Sequence, residues 1–120
     1  MATIGEQFAE AFAGKDYARI TELLDPECDF RALTPRMSWQ ATGPEQVISE
    51  VLTVWFGESE HVDEIIGVET GDVVDREYVS YRLRGHDDEG PFIVEQQAYL
   101  TARGGRIDWM RVLCSGMRPV

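Results

Sequence analysis

The sequence has few cysteines and few basic residues. Its two cysteines, Cys28 and Cys114, have no neighbouring His or second Cys at metal-ligand spacing, so neither a zinc site nor a disulfide framework is predicted. Eleven basic residues stand against 22 acidic ones, and the formal net charge is −11. Because each phosphate contact needs a Lys or Arg, this balance argues against nucleic acid and anionic membranes as partners.

Long apolar runs are also missing. No segment reaches the roughly 18 consecutive apolar residues of a membrane span, and the N-terminus lacks a basic start followed by an apolar core. We therefore expect a cytoplasmic protein. Hydrophobic residues make up 43% of the chain and charged residues 28%, which is typical of a folded domain. A chain of 120 residues is long enough for one core, so we expect a single domain over residues 1–120.

The first half of the chain has the spacing of amphipathic helices. Apolar residues recur at helical intervals up to Gly14, and Asp16 is placed to cap a second helix that ends before Asp25-Pro26. A third helix is predicted to begin at a capping box in residues 42–45 and to continue to Phe56. Its apolar residues cover much of its circumference, so it needs burial on more than one side.

Strand-like alternation occurs both before and after the third helix. CDFRAL and MSWQA read as two short strands joined by a loop at residues 34–36. After Gly57 four long alternating segments are separated by Gly-Asp, Asp-Asp-Glu-Gly and Gly-Gly turns. Helices that precede a run of meandering strands predict an α+β fold, with the helices on one face of a curved, mostly antiparallel sheet.

Three stretches resemble the SnoaL-like branch of the nuclear transport factor 2-like superfamily: FAEAFAGKDYARITELLDPECDFRAL, the TGPEQV helix start and the closing GGRIDWMRVL. They are caps, turns and core positions, so the resemblance is specific for fold and unspecific for activity. It implies a cone in which three N-terminal helices pack on a strongly curved sheet around a pocket, often with dimers paired through the sheet. Members include polyketide cyclases, ketosteroid isomerases, scytalone dehydratase, limonene epoxide hydrolase and non-catalytic carriers.

The catalytic residues of ketosteroid isomerase do not carry over onto this chain. That enzyme uses an aspartate base, with a tyrosine and a protonated aspartic acid that hold an enolate oxygen. The family pattern places Phe8 at the tyrosine, Arg31 or Ala32 at the base and Gln97 at the acid. The resemblance therefore argues against this chemistry in its usual form.

The catalytic residues of two other branches also lack clear counterparts in this chain. Tyr78, Ser80 and Val112 fall where limonene epoxide hydrolase has its Asp-Arg-Asp arrangement. A histidine pair of the scytalone dehydratase kind would need His61 and His86 to converge from separate strands.

The strand VEQQAYL, residues 94–100, carries three polar side chains among apolar ones. In the register that the resemblance implies, Glu95, Gln97 and Tyr99 face the inside of the cone. A neutral polar group there costs about 1–3 kcal/mol unless it is hydrogen-bonded, and a charge costs more. The stripe therefore belongs to a small-molecule site or pairs internally, with Arg31 or Arg111 as the partner of Glu95.

The candidate site is built around this stripe. Glu95 is the candidate catalytic acid or base. An apolar wall from the neighbouring strands, including Tyr81 and Met110, completes the hollow. The candidate ligand-binding residues are Gln97, Tyr99, Arg31, Tyr81, Met110 and Cys114. A structural role is the alternative for each of them, and no metal ligand or cofactor is predicted.

The roles of the aromatic, histidine and acidic residues outside the stripe are not decided by the sequence. Trp39, Trp55 and Trp109 fit either a pocket wall or core and dimer packing. His61 has no evident partner, and the acidic stretch 86–90 is typical of a solvated hairpin tip.

The resemblance thus implies a homodimeric protein of the SnoaL-like type with a pocket for a small hydrophobic molecule. If it is catalytic, the resemblance implies cofactor-independent isomerisation, cyclisation or dehydration of a hydrophobic carbonyl compound. The alternative is a non-catalytic ligand-binding or dimerisation module.

Overall fold

The computed structural model describes residues 2–120, which form three helical regions and seven strands. The helices are α1 (Ile4–Ala13), α2 (Tyr17–Leu23) and a third region that consists of α3 (Gly43–Val47), a π-helix (Ile48–Leu52) and α4 (Thr53–Trp55). The strands are β1 (Leu24–Thr34), β2 (Met37–Thr42), β3 (His61–Val73), β4 (Arg76–Asp87), β5 (Gly90–Arg103), β6 (Arg106–Cys114) and β7 (Arg118–Pro119). Within the described chain, no helix is both long and apolar enough to cross a membrane.

The predicted capping residues mark the end of α1 and the start of α2. α1 ends at Gly14, and the carboxylate of Asp16 accepts the N–H of Arg19 at 3.1 Å at the start of α2, so both predictions are confirmed. α1 also begins with a capping box that the prediction missed. The hydroxyl of Thr3 accepts the N–H of Glu6, and the carboxylate of Glu6 accepts the N–H of Thr3, both at 3.1 Å.

The third helical region differs from the prediction in its start and its middle. The side chain of Thr42 makes no capping bond, so the predicted capping box is wrong; the amide oxygen of Gln46 instead accepts the N–H of Thr42 at 2.7 Å. A π-turn also widens the helix over Ile48–Leu52. The hydroxyl of Thr53 lies 3.0 Å from the carbonyl oxygen of Ile48 and 3.1 Å from that of Ser49, and it satisfies backbone acceptors at this turn.

The sheet follows the order β2-β1-β6-β5-β4-β3, and β7 pairs with β5. β1 and β6 are parallel and the other pairs are antiparallel, so the mostly antiparallel sheet is confirmed. Two boundaries were predicted wrongly. β1 begins at Leu24, so Asp25-Pro26 lies inside the strand, and β3 turns into β4 at residues 74–75 because Gly71 and Asp72 are still paired with β4.

The central strands have an inner face, which contacts the helices, and an outer face. The inner face is buried and consists of Cys28, Phe30 and Ala32 of β1, Val79, Tyr81 and Leu83 of β4, Phe92, Val94, Gln96, Ala98 and Leu100 of β5, and Met110 and Val112 of β6. Directly paired residues share a face. Ala98 pairs with both Val79 and Val112, which ties the three strands to one set of inward residues.

This pairing shows that the predicted orientation of β5 is wrong. Glu95, Gln97 and Tyr99 lie on the outer face, and Gln97 is exposed. The predicted inward positions of Tyr81 and Met110 are confirmed, since they are 3% and 0% exposed. In the observed register Tyr81 is paired with Gln96, so an inward Tyr81 requires Glu95 and Gln97 to face outward.

A series of stacked phenylalanine rings links the helices to the inner face. Phe8 and Phe12 of α1 have ring centroids 6.3 Å apart, Phe12 and Phe56 are 5.1 Å apart, and Phe56 and Phe92 are 6.1 Å apart. Burying each ring contributes on the order of 1.5–3 kcal/mol to folding. The end of the third helical region is thereby packed between α1 and β5.

Gly85 on β4 tests the tight packing at one end of the inner face. A Cβ atom there would lie 2.2 Å from the carbonyl oxygen of His61 and 2.8 Å from the ring of Phe92. We expect Gly85→Ala to lower the free energy of unfolding by about 1–3 kcal/mol in denaturant titrations. Gly67→Ala is the matched control, because a Cβ there meets no atom within 4 Å, and its effect should stay within about 0.5 kcal/mol. Equal losses would contradict this packing.

Candidate functional site

A row of three polar side chains crosses the inner face of the sheet. Tyr81, Gln96 and Cys114 are paired neighbours on β4, β5 and β6. The Tyr81 hydroxyl donates to the Gln96 amide oxygen at 2.6 Å, and the Gln96 amide nitrogen donates to the Cys114 sulfur at 3.3 Å. The N–H of Gly116 donates to the same sulfur at 3.4 Å. Gln96, which is 2% exposed, therefore has partners for both ends of its amide.

The two ends of this row differ in accessibility. Tyr81 is fully enclosed, and burial raises the pKa of its hydroxyl far above the usual range, so it remains a neutral hydrogen-bond donor. Cys114 is only half-buried and lies at the edge of a cavity. The row thus connects the closed core to the open end of the inner face.

This cavity has a volume of about 210 Å³ and lies between the inner face and the end of the third helical region. Its walls include Trp39, Trp55, Phe56, Val94, Gln96 and Cys114. Trp39 and Trp55 meet edge to face, with ring centroids 5.9 Å apart. Among residues 2–120, no Asp, Glu, His, Lys or Arg lines it. The cavity is therefore neutral and mostly apolar, and the Gln96 amide, the Cys114 thiol and the Thr34 hydroxyl are the polar groups of its wall besides the two indoles.

The two tryptophans of this wall differ in how their indole N–H groups are used. The N–H of Trp39 donates to the Thr34 hydroxyl at 2.8 Å. The N–H of Trp55 is buried and has no acceptor within residues 2–120, and its ring packs against Phe12, Phe30 and Trp39 with centroids 5.9–6.3 Å apart. Ring contacts, rather than a hydrogen bond, thus hold Trp55 in the wall.

Glu95 and Gln97 lie on the other side of the sheet, in an outer groove of about 590 Å³. The Glu95 carboxylate forms ion pairs with Arg118 and with Arg82, the latter at 3.6 Å. Internal pairing of Glu95 is therefore observed, but the expected partners Arg31 and Arg111 were wrong. Two neighbouring arginines therefore occupy the Glu95 carboxylate.

Arg31 and Tyr99 line a second outer groove of about 540 Å³, beside Arg111. Asp29 pairs with both arginines: its carboxylate lies 3.7 Å from Arg31 and 3.3 Å from Arg111. The ring of Trp109 also lies on this face and is 4.4 Å from the guanidinium groups of both Arg76 and Arg111. The charged residues and Trp109 thus form a cation–π and ion-pair network at this groove.

The structure therefore divides the predicted site residues. Tyr81 and Cys114 both belong to the inner row, on either side of Gln96. Met110 is fully buried in the core, and the other four predicted residues lie on the outer face. The central residue of the inner row, Gln96, was missed. A sequence signal for it existed, because Gln96 has the same parity as the apolar residues Val94, Ala98 and Leu100, which follow the buried face of a strand.

The histidines and the second cysteine lie away from the cavity. His61 and His86 converge from β3 and β4 with rings stacked 5.1 Å apart, and His86 Nδ1 lies 2.9 Å from the Asp63 carboxylate. In the part of the chain described, no group of three or more His, Cys, Asp or Glu residues is arranged to hold a metal ion. Cys28 is buried, and burial together with nearby carboxylates, Asp108 foremost, raises its pKa to about 12.

Comparisons with known proteins identify the fold. No family model and no curated protein matches the sequence. A protein from Rhodopseudomonas palustris, provisionally described as an isomerase, matches with a TM-score of 0.75 and 14% identity, over 97% of this chain and 92% of that one. A protein from Catenulispora acidiphila with a ketosteroid isomerase-like fold, in complex with trimethylamine, matches with a TM-score of 0.74 and 20% identity, over 96% and 87%.

A nuclear transport factor 2-like protein from Burkholderia thailandensis also matches, with a TM-score of 0.70 and 16% identity over 96% of this chain and 92% of that one. The chain thus has the nuclear transport factor 2-like α+β fold, and the resemblance seen in the sequence is confirmed at the level of the fold. At these identities the likeness carries no activity with it.

The inner row gives a direct test of which face of β5 is buried. Gln96→Leu leaves the Tyr81 hydroxyl without its acceptor, so we expect the free energy of unfolding to fall by about 1–3 kcal/mol. Gln97→Leu, at an exposed position on the outer face, should change it by less than about 0.5 kcal/mol. Denaturant titrations measure both values.

A double variant separates the lost hydrogen bond from lost packing. Tyr81→Phe together with Gln96→Leu removes both partners, so it should recover most of the stability that Gln96→Leu loses. A larger loss at Gln97 than at Gln96 would show that the assigned face of β5 is wrong.

Proposed function

We propose that the chain is a small-molecule-binding protein whose ligand occupies the cavity beside Gln96. The observation that carries this proposal is the make-up of the wall, in which aromatic and aliphatic side chains surround one anchored amide. Apolar hollows with a few placed polar groups are typical of small-molecule sites. The cavity lies between the inner face of the sheet and the third helical region, which is where the proposed cone would have its hollow.

The volume of the cavity limits the size of the ligand. A cavity of about 210 Å³ is smaller than the roughly 300–1,000 Å³ of sites for drug-sized molecules. It is moderately larger than the roughly 150 Å³ engineered cavity that accommodates benzene. We infer a ligand with a single substituted ring, including a hydrophobic carbonyl compound of that size, rather than a polycyclic molecule.

Binding without catalysis is the activity that this geometry supports best. A general acid or base has to lie within hydrogen-bond reach of the reacting group. No carboxylate or imidazole lines the cavity in residues 2–120, and Glu95 lies on the opposite face of the sheet. Gln96 can orient a carbonyl or hydroxyl oxygen, but an amide does not carry a proton away.

A cofactor-independent isomerase, cyclase or dehydratase is the second candidate. It is supported by the fold match to the Rhodopseudomonas palustris protein that is described as an isomerase. Its candidate acid or base is Glu95 in the outer groove, with Gln97 beside it. The cytoplasmic location and the single domain remain predictions.

We also propose that the partner chain is a second copy that covers the outer face. Six of the eleven basic residues project from this face or its edge: Arg31, Arg76, Arg82, Arg84, Arg111 and Arg118. The carboxylates of Asp29, Glu64 and Glu95 pair with arginines on the same face. Most of the acidic residues lie elsewhere, so this face is close to neutral although the chain carries −11.

The centre of the outer face is apolar. Leu33 and Leu113 are adjacent in the parallel pair of β1 and β6, and they are 54% and 47% exposed. Arginines and carboxylates surround them, so the face is complementary to itself when a twofold axis passes near its centre. Two copies would bury the leucines and exchange ion pairs without bringing the acidic remainder of each chain together.

Ligand binding is testable with a panel of single-ring ketones, phenols and lactones. A compound present at about 100 times its dissociation constant should stabilise the wild type by about 2.7 kcal/mol and change the fluorescence of the wall tryptophans. Val94→Phe fills the cavity and should abolish both responses, whereas Glu95→Gln on the outer face should keep them. Because Val94→Phe also crowds the core, Cys114→Leu at the half-buried edge of the cavity serves as a second filling variant.

The same panel separates the two candidate functions. Binding without turnover, unaffected by Glu95→Gln, supports the binding protein. Turnover that Glu95→Gln abolishes would establish the enzyme instead. If no compound binds, or if Val94→Phe and Cys114→Leu both bind as the wild type does, the cavity is not the site.

The dimer is testable by light scattering and sedimentation. Leu113→Asp places a charge at the centre of the outer face, so we expect the dissociation constant of the dimer to rise at least about tenfold with the fold retained. Val74→Asp is the matched control, because Val74 is 97% exposed at the turn between β3 and β4 and lies away from the outer-face centre. A monomeric wild type at all concentrations would refute the proposal.

A further inference from the structure

Three consecutive residues at the end of the third helical region, Val54, Trp55 and Phe56, form one wall of the cavity. The helix that holds them, α4, is only three residues long and follows directly on the π-turn. A single helical turn is not stable by itself. The position of this wall therefore depends on contacts at its two ends.

At the near end the wall is held by the Thr53 hydroxyl, which closes the π-turn. At the far end the chain leaves the helix and turns through residues 57–60 into β3. The ammonium group of Lys15 donates to the carbonyl oxygens of Gly57 and Glu60, each at 2.5 Å. One side chain just beyond the end of α1 thus binds both ends of a turn more than 40 residues away in sequence.

The turn is also braced from within. The Glu60 carboxylate accepts the N–H of Gly57 at 2.9 Å and the hydroxyl of Ser59. These two hydrogen bonds lower the pKa of Glu60, and the charge of Lys15 contributes in the same direction. The carboxylate and the ammonium thus support the same conformation of the turn.

The backbone of Lys15 suggests that the ammonium has a role beyond ending the helix. Its φ angle is +53°, in the left-handed region that favours glycine after a helix. Lys15 is also the single lysine of the chain; the ten other basic residues are arginines. A compact ammonium can donate to two separate carbonyl groups, whereas the planar fork of Arg is suited to carboxylates and phosphates. Position 15 is therefore occupied by a residue with a strained backbone whose side chain supplies an ammonium donor.

We propose that Lys15 is a positioning residue for the cavity wall. Its ammonium holds residues 57–60 so that Trp55 and Phe56 remain against the cavity, and through them it controls ligand affinity. Phe12, three residues before Lys15, stacks on Phe56 at 5.1 Å, so α1 supports the wall by one polar and one apolar contact. The effect on affinity rests on the proposed function, whereas the effect on the wall does not.

Three variants of Lys15 separate positioning from general stability. Lys15→Met removes the ammonium and keeps the strained backbone. Lys15→Gly removes the ammonium and relieves the strain, so its melting temperature should equal or exceed that of Lys15→Met. Lys15→Arg keeps the charge and should restore part of the function. Arg19→Met is the matched control, because Arg19 is an exposed cation on α2 that contacts Gln7 and not the wall.

Amide hydrogen exchange measures the wall without any ligand. We expect exchange across residues 54–60 to increase by about tenfold in Lys15→Met and Lys15→Gly, and to stay unchanged in Arg19→Met. The affinity for a compound that the wild type binds should fall by about tenfold in the same two variants. Lys15→Arg should be intermediate in both measurements. A purely structural role would instead make affinity follow the melting temperature, with Lys15→Gly closer to the wild type than Lys15→Met.

Exchange and affinity measured together distinguish a failure of the Lys15 proposal from a failure of the proposed function. Unchanged exchange in both Lys15→Met and Lys15→Gly overturns the positioning role. Faster exchange with unchanged affinity overturns the link to the ligand. If the wild type binds no compound, the proposed function fails, and the exchange experiment alone decides whether Lys15 positions the wall.

Discussion

The pairing of β5 between β4 and β6 determines which side chains of the central sheet face inward. Ala98 is opposite Val79 on one side and Val112 on the other, and all three are buried. Two residues earlier, the same register places Gln96 between Tyr81 and Cys114. Because successive residues of a strand alternate between faces, the inner row, the cavity and the outer grooves all depend on this register.

Polar groups are stabilised in different ways on the two faces of the sheet. The inner face holds one amide, hydrogen-bonded at both its oxygen and its nitrogen, because an unpaired polar group or a charge is costly there. The outer face holds charges that are paired across neighbouring strands, such as Glu95 with Arg82 and Asp29 with Arg111. A strongly acidic chain thereby carries much of its positive charge on one surface, in pairs with carboxylates.

The cavity wall illustrates how weak local structure is held by distant contacts. Its last helical turn follows a π-turn, and the residues after it have no regular structure until β3 begins at His61. Ring stacking on Phe12 and the clamp from Lys15 supply the support. The shape of the candidate site is therefore set jointly by α1 and the third helical region.

The sequence by itself determined the elements and the fold family, because helix caps, turns and alternation are local patterns: Gly14 and Asp16 mark helix ends, and the FAEAFAGKDYARI stretch carries the resemblance. Alternation in VEQQAYL shows that two faces exist, but Glu95 and Gln96 give each face a polar residue. The apolar residues with the parity of Gln96 favour burial of that face, and the pairing of β5 with its neighbours established it. The clamp of Lys15 on Gly57 likewise joins residues far apart in sequence, so no local pattern could reveal it.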